Sequence, residues 1–162
     1  MTTGLTRGAY SGKETKLYYN SASYETPTFV EIKRARNVQK NRGPALTDIE
    51  FHGAEETGAI PGYRAFNGSF EYVRKNGADT VYDALLEAQE AGEIVDLVHL
   101  NGSIESEESV GWRCPVLLGE FAETANGNDG VVVTIPFRKA DAFDENGDSV
   151  DYAAFEGSSS YA

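Results

Sequence analysis

Four apolar side chains, Val131, Val133, Ile135 and Phe137, recur at every second position just after the turn residues 126–130. A period of two puts all four on one face of a β-strand and leaves the other face to polar neighbours. Val110, Trp112, Cys114, Val116 and Leu118 repeat the pattern with the core face on even numbers. Pro115 removes a ladder donor there, which predicts an edge strand or a bent one. The helical period occurs convincingly once, over Asp79–Ala91, where Val81, Tyr82, Leu85, Leu86 and Ala88 form one apolar stripe. Asp79 suits the N-cap and Gly92 the C-terminal stop. The chain therefore reads as α+β, mainly β, with one amphipathic helix.

The remaining segments fit that class. Lys16–Tyr19 is a short strand candidate, and Thr28–Arg34 is another with Val30 and Ile32 on one face. Gly43-Pro44 is expected to break the chain, after which Thr47, Ile49 and Phe51 alternate as a half-buried strand. Gly53–Gly62, with three glycines, Pro61 and Glu55–Glu56, reads as an exposed loop. Tyr63–Lys75 is the longest strand candidate, with Phe66, Phe70 and Tyr72 on one face. Gly68 between them marks a bulge or a close backbone approach. Ile94–Leu100 is apolar enough for a strand covered on both faces, and Asn101–Ser109 is an acidic loop.

Charge divides the chain lengthwise. Residues 1–42 carry eight Lys/Arg and three Asp/Glu, a net of +5; residues 43–162 carry six and 23, a net of −17. A polarised chain suits meeting copies of itself, basic surface against acidic; the other reading is that the acidity only keeps the chain soluble. The excess of carboxylate disfavours phosphate, and so nucleic acid, as a ligand. At 162 residues the chain suits one domain. A body over 28–139 is expected between a tyrosine-rich arm, 1–27, and an acidic arm, 140–162, the latter disordered alone or docked on a neighbour. The first residues lack the apolar stretch of a signal peptide, which implies synthesis in a cytoplasm without classical export. No run reaches membrane-helix length, so no membrane partner is expected.

Catalytic and metal motifs are not found. His52 and His99 lack Cys or His neighbours at metal spacing and read as satisfied or solvated strand residues. The single Cys114 sits among apolar residues and reads as an inert buried thiol. From Asp144, an EF-hand count places Ser149 at the sixth position and Phe155 at the twelfth, where Gly and Glu are required. Only loose cation binding by the acidic stretch survives as a metal reading. No phosphate-binding glycine loop precedes the helix. Phe66, Phe70 and Trp112 alternate with polar residues and are assigned to the core. The chain is read as a non-enzyme with no cofactor.

The order of features from Thr28 to Lys139 resembles the tail tube, or major tail, proteins of long-tailed bacteriophages with non-contractile tails. The resemblance is carried by Phe29-Val-Glu-Ile32, Leu46-Thr-Asp-Ile-Glu-Phe51, Phe66-Asn-Gly-Ser-Phe70, the helix with Gly92, Gly111-Trp-Arg-Cys-Pro115 and Gly130-Val-Val-Val-Thr-Ile-Pro-Phe137. It implies a β-sandwich or incomplete barrel flanked by one helix. It further implies hexameric rings stacked into a virion tail tube through which genome DNA passes without specific binding. Tail tip or initiator, tape-measure and terminator proteins are the implied partners. The stacking loop would map to about His52–Gly62. A monomeric β-sandwich module binding carbohydrate or protein, and a tube protein of a related secretion machine, are the alternatives.

Two sets of site residues follow. Lys33, Arg34, Arg36, Lys40 and Arg42 are expected to meet an acidic region of a neighbouring subunit. Glu55, Glu56 and the helix residues Glu87 and Glu90 are the acidic candidates, the last two because they oppose the helix dipole. Asp48, Glu71, Glu105, Glu107 and Glu108 are the candidates for a negative lumen that lets DNA slide.

Overall fold

A computed structural model describes residues 12–53, 55–127 and 130–161. The strands are β1 (Lys16–Asn20), β2 (Phe29–Glu31), β3 (Ala35–Ile49), β4 (Gly58–Val73), β5 (Val95–Leu100), β6 (Val110–Leu118), β7 (Ala122–Asn126), β8 (Gly130–Lys139), β9 (Ala142–Phe143), β10 (Ser149–Val150) and β11 (Ala153–Glu156). The helix α1 spans Thr80–Ala91. One nine-stranded antiparallel sheet runs β2-β1-β5-β6-β8-β4-β3, with β11 added to β6 and β7 added to β8; β9 and β10 form a small hairpin. The sheet is open, so the fold is α+β and mainly β, without a closed barrel.

Alternation explains the core. Phe66, Phe70 and Tyr72 from β4 meet Trp112, Cys114 and Val116 from β6 and Val133, Ile135 and Phe137 from β8, all buried. Gly68 is needed between the two phenylalanines, because a Cβ there would run into the Gln39 carbonyl and the Phe137 ring. The helix closes one end of this core with Tyr82 and Leu85. Asp79 caps it by accepting from the Tyr82 N–H, and its other oxygen takes a 2.6 Å hydrogen bond from the Tyr72 hydroxyl. Burial raises the Asp79 carboxyl pKa, but those bonds outweigh it and hold the group below its usual value. Gly92 ends the helix in the left-handed conformation at φ 68°.

β5 is covered on both faces, as its composition implies. Val95 and Leu97 face the main core, while Val98 and Leu100 join Tyr18 and Ile104 in a second cluster capped by Phe29, Phe155 and Tyr161. On that second side Arg113 is buried, its Nε 3.0 Å from both Asp96 oxygens and its guanidinium stacked 3.8 Å from the Tyr24 ring.

Several expectations change. Pro115 does not lie on an edge strand: β6 has β5 along one side and, along the other, β11 at 110–113 and β8 at 116–118. The Pro115 carbonyl accepts from Ala140 N–H, so its missing donor falls in the gap between those two neighbours and costs no ladder bond. Gly43-Pro44 does not break the chain. β3 runs through it, because β4 lies along only one edge and the register slips by one residue between Pro44 and Leu46. Half of the expected 53–62 loop is strand, since β4 starts at Gly58. The short β7 has no apolar alternation and no sequence signal. The acidic segment after Lys139 folds onto its own chain: β11 pairs with β6, and the Tyr152 ring stacks on Trp112 at 6.3 Å. Of the expected N-terminal arm, residues 1–11 lie outside the described residues, while β1 is an inner strand with Leu17 and Tyr18 buried.

Candidate functional site

The β3–β4 hairpin is the feature that the body does not account for. Only its lower half is held: β4 pairs with β8 over Asn67–Val73, and beyond Phe66 its second edge is open. From Arg42↔Phe66 to Ile49↔Gly58 the hairpin is a two-stranded ribbon projecting from the sheet. Its apolar side chains face solvent: Leu46 is 70%, Phe51 57%, Ile60 48% and Tyr63 97% exposed. Phe51 was expected on a buried strand face and sits instead beyond the end of β3. Open backbone edges beside exposed apolar side chains make a surface suited to pairing with another chain. Sequence reading missed Leu46, Ile60 and Tyr63 here. The open edges also explain how Pro44 and Pro61 are tolerated within the ribbon.

The basic residues gather at the hairpin base, and most already have partners in their own chain. Arg34 donates to the Val73 carbonyl at 2.7 Å, and Arg36 pairs with Glu71 at 2.9 Å. Lys40 donates to the Tyr152 hydroxyl at 3.2 Å, and Arg42 lies over that ring at 4.3 Å. Lys33, in the turn between β2 and β3, makes no ion pair among the described residues. A cavity of about 670 Å³ opens beside it, lined by Lys16, Lys33, Arg36, Ile32, Val38 and His99 among others. His99 is less settled than its sequence context implied. Its Nε2 is buried with no hydrogen-bond partner among the described residues, and burial, helped by the Lys40 charge, lowers its pKa.

The acidic candidates fall in separate places. Glu55 and Glu56 are exposed at the hairpin tip, and Glu87 and Glu90 are exposed on the outer face of α1. The lumen candidates do not share a face. Asp48 stands on the projecting ribbon, Glu71 on the body sheet beside Arg36, and Glu105, Glu107 and Glu108 in the turn between β5 and β6. Burial pushes the Cys114 thiol up to about 12, so it is neither nucleophile nor ligand near neutrality. Among the described residues, no group of three or more His, Cys, Asp or Glu is placed to hold a metal, the Asp144–Asp148 turn included.

Neither a known protein family nor a curated protein matches the chain by sequence. Solved structures do match. The SPP1 tail tube aligns over 93% of this chain and 81% of its own, with a TM-score of 0.68 at 14% identity. The fold is that of a tail tube protein. The tail of an empty gene transfer agent particle, refined helically with C6 symmetry, aligns over 83% of this chain and 96% of its own, with a TM-score of 0.61 at 17% identity. The tail-tube fold also extends to injection machines. The sheath–tube complex of the extracellular contractile injection system PVC aligns over 92% of this chain and 93% of its own, with a TM-score of 0.59 at 11% identity.

Proposed function

We propose that this chain is a non-catalytic virion protein that self-assembles into stacked rings forming a phage tail tube, through which genome DNA passes unbound. The projecting ribbon carries this reading. A two-stranded ribbon is not stable alone in water, and this one keeps large apolar groups in solvent until another chain covers them. The tail-tube fold supports the same conclusion, and the C6 symmetry of the gene transfer agent tail supports six copies per ring. Initiator, tape-measure and terminator proteins are the proposed partners at the tip, lumen and end of the tube. The likeness to injection-system tubes favours, as a second reading, a tube of the same build serving a secretion-type machine.

A lumen with an acidic face is retained as part of the proposal, drawn from Asp48, Glu105, Glu107 and Glu108. Glu71 contributes least, because Arg36 neutralises it. Negative-stain electron microscopy of the purified chain at two concentrations and two salt levels is the test. Hollow rods with a regular axial repeat, thinning out as salt screens the charged contacts, are expected. Dispersed particles under every condition, with an initiator complex added, overturn the tube.

A further inference from the structure

We propose that the basic cavity at the base of the hairpin receives the acidic hairpin tip of a second copy of this chain. This contact rests on the tube reading above and names the joint between successive rings.

The cavity has the chemistry of a carboxylate receptor. Lys16, Lys33 and Arg36 stand at its rim, and Leu17, Ile32 and Val38 supply apolar wall. Glu31 is the carboxylate lining it among the described residues, and it already faces Lys16 at 3.7 Å. Lys33 is unmatched, and the Arg36 side chain is 46% exposed beyond its bond to Glu71, so both can take a further carboxylate. A volume of about 670 Å³ admits several side chains, within the usual range of roughly 300–1,000 Å³ for binding clefts.

The tip has the complementary chemistry. Residues 43–63 contain Asp48, Glu50, Glu55 and Glu56 and no Lys or Arg. Phe51 stands exposed among them and matches the apolar wall. The partner must be another copy. The ladder from Val38 to Ile49 is extended, so the tip lies about 35 Å from the cavity at ~3.3 Å per residue, too far to fold back. Other occupants fit less well. Residues 1–11 carry Arg7 and no carboxylate, and the Asp83, Glu87 and Glu90 stripe is a helix face with no projecting tip. Each copy thus presents one tip and one cavity, a head-to-tail arrangement that adds rings along one axis.

Charge reversal tests the joint. Glu55→Lys with Glu56→Lys makes the tip basic; Lys33→Glu with Arg36→Glu makes the cavity acidic. Each variant alone is expected to lose rods at a concentration where the wild type forms them. An equal mixture of the two is expected to regain rods, because each tip then finds an opposite cavity in the other variant. Thermal melts check that each variant folds, and Lys33→Glu alone, which leaves the Arg36–Glu71 pair intact, serves if the double change unfolds the chain. Undiminished rods in the single-surface variants overturn the joint, as does a mixture of folded variants that stays dispersed. Zero-length carboxyl–amine cross-linking of the concentrated wild-type chain gives a separate reading. An intermolecular link from Lys33 to Glu55 or Glu56 is expected, and links confined to other sites overturn the joint. A wild type that never forms rods defeats the tube reading instead, and the cross-link then still decides the contact.

Discussion

The two halves of the longest hairpin obey different rules. Below Phe66, β4 lies between β3 and β8 and buries Phe70 and Tyr72 to within 1% of full coverage. Above it, the same two strands keep Tyr63 at 97% exposure and Leu46 at 70%. The lower half is stabilised by its own chain, through apolar area removed from water. The upper half has no such covering among the described residues; beyond its own β3–β4 ladder, the proposed neighbour would supply it. A mutation in the lower half should therefore change folding, and one in the upper half should change association.

The sharpest version of that contrast is Phe70→Ala. Removing a fully buried ring is expected to cost about 3–5 kcal/mol in denaturant unfolding, a large share of a domain's stability. Gly68→Ala comes next. The added methyl meets the Gln39 carbonyl and Phe137, and overpacking of this kind costs about 1–3 kcal/mol. Asp79→Ala removes the helix cap and should lower stability by about 1 kcal/mol, measured the same way. Because the folded Asp79 pKa is depressed, the wild-type contribution is present above the unfolded value of 3.8 and fades as pH falls through the folded one.

His99 gives a smaller effect near neutrality. Burial depresses its folded pKa below 6.5, so the unfolded chain takes up the proton first. The melting temperature should fall as pH drops below 6.5, and His99→Gln should flatten that slope. The smallest effect on folding is expected from Tyr63→Ser, within about 0.5 kcal/mol in unfolding of the unassembled chain. Its rods should nevertheless be fewer at equal concentration. A large loss of folding stability from Tyr63→Ser would erase the distinction between the halves.

The core of the body was legible because alternation on β4, β6 and β8 records a single buried face, and because the helix carries its own cap and stop. Three features were hidden. β7 has no apolar alternation to reveal it, and it owes its place to the β8 ladder. The tail reads as disordered alone or docked on a neighbour because its charge is dense, yet Tyr152 and Phe155 anchor it to its own chain through aromatic contacts that two residues suffice to make. Gly58–Gly62 looked like loop and Gly43-Pro44 like a break because glycine and proline are turn signals in an ordinary strand, whereas an unpaired edge tolerates them. The basic segment was visible as charge, but partners distant in sequence, such as Glu71 and Tyr152, decided how much of it stayed unengaged.

The hairpin carries one extra residue in β3 between Arg36 and Gln39 and one in β4 opposite Pro44–Leu46. These two insertions cancel in register, but they do not cancel in evolution. Losing Asn37 alone would take out the β3 bulge, while Arg36 and Gln39 kept Glu71 and Ser69 as partners and every ribbon residue kept its face. A single-codon deletion would thus remove the extra twist that a bulge adds and re-aim the ribbon relative to the body without changing its pattern. Such a lineage would meet its neighbours at a different angle in one step and cease to mix with its parent.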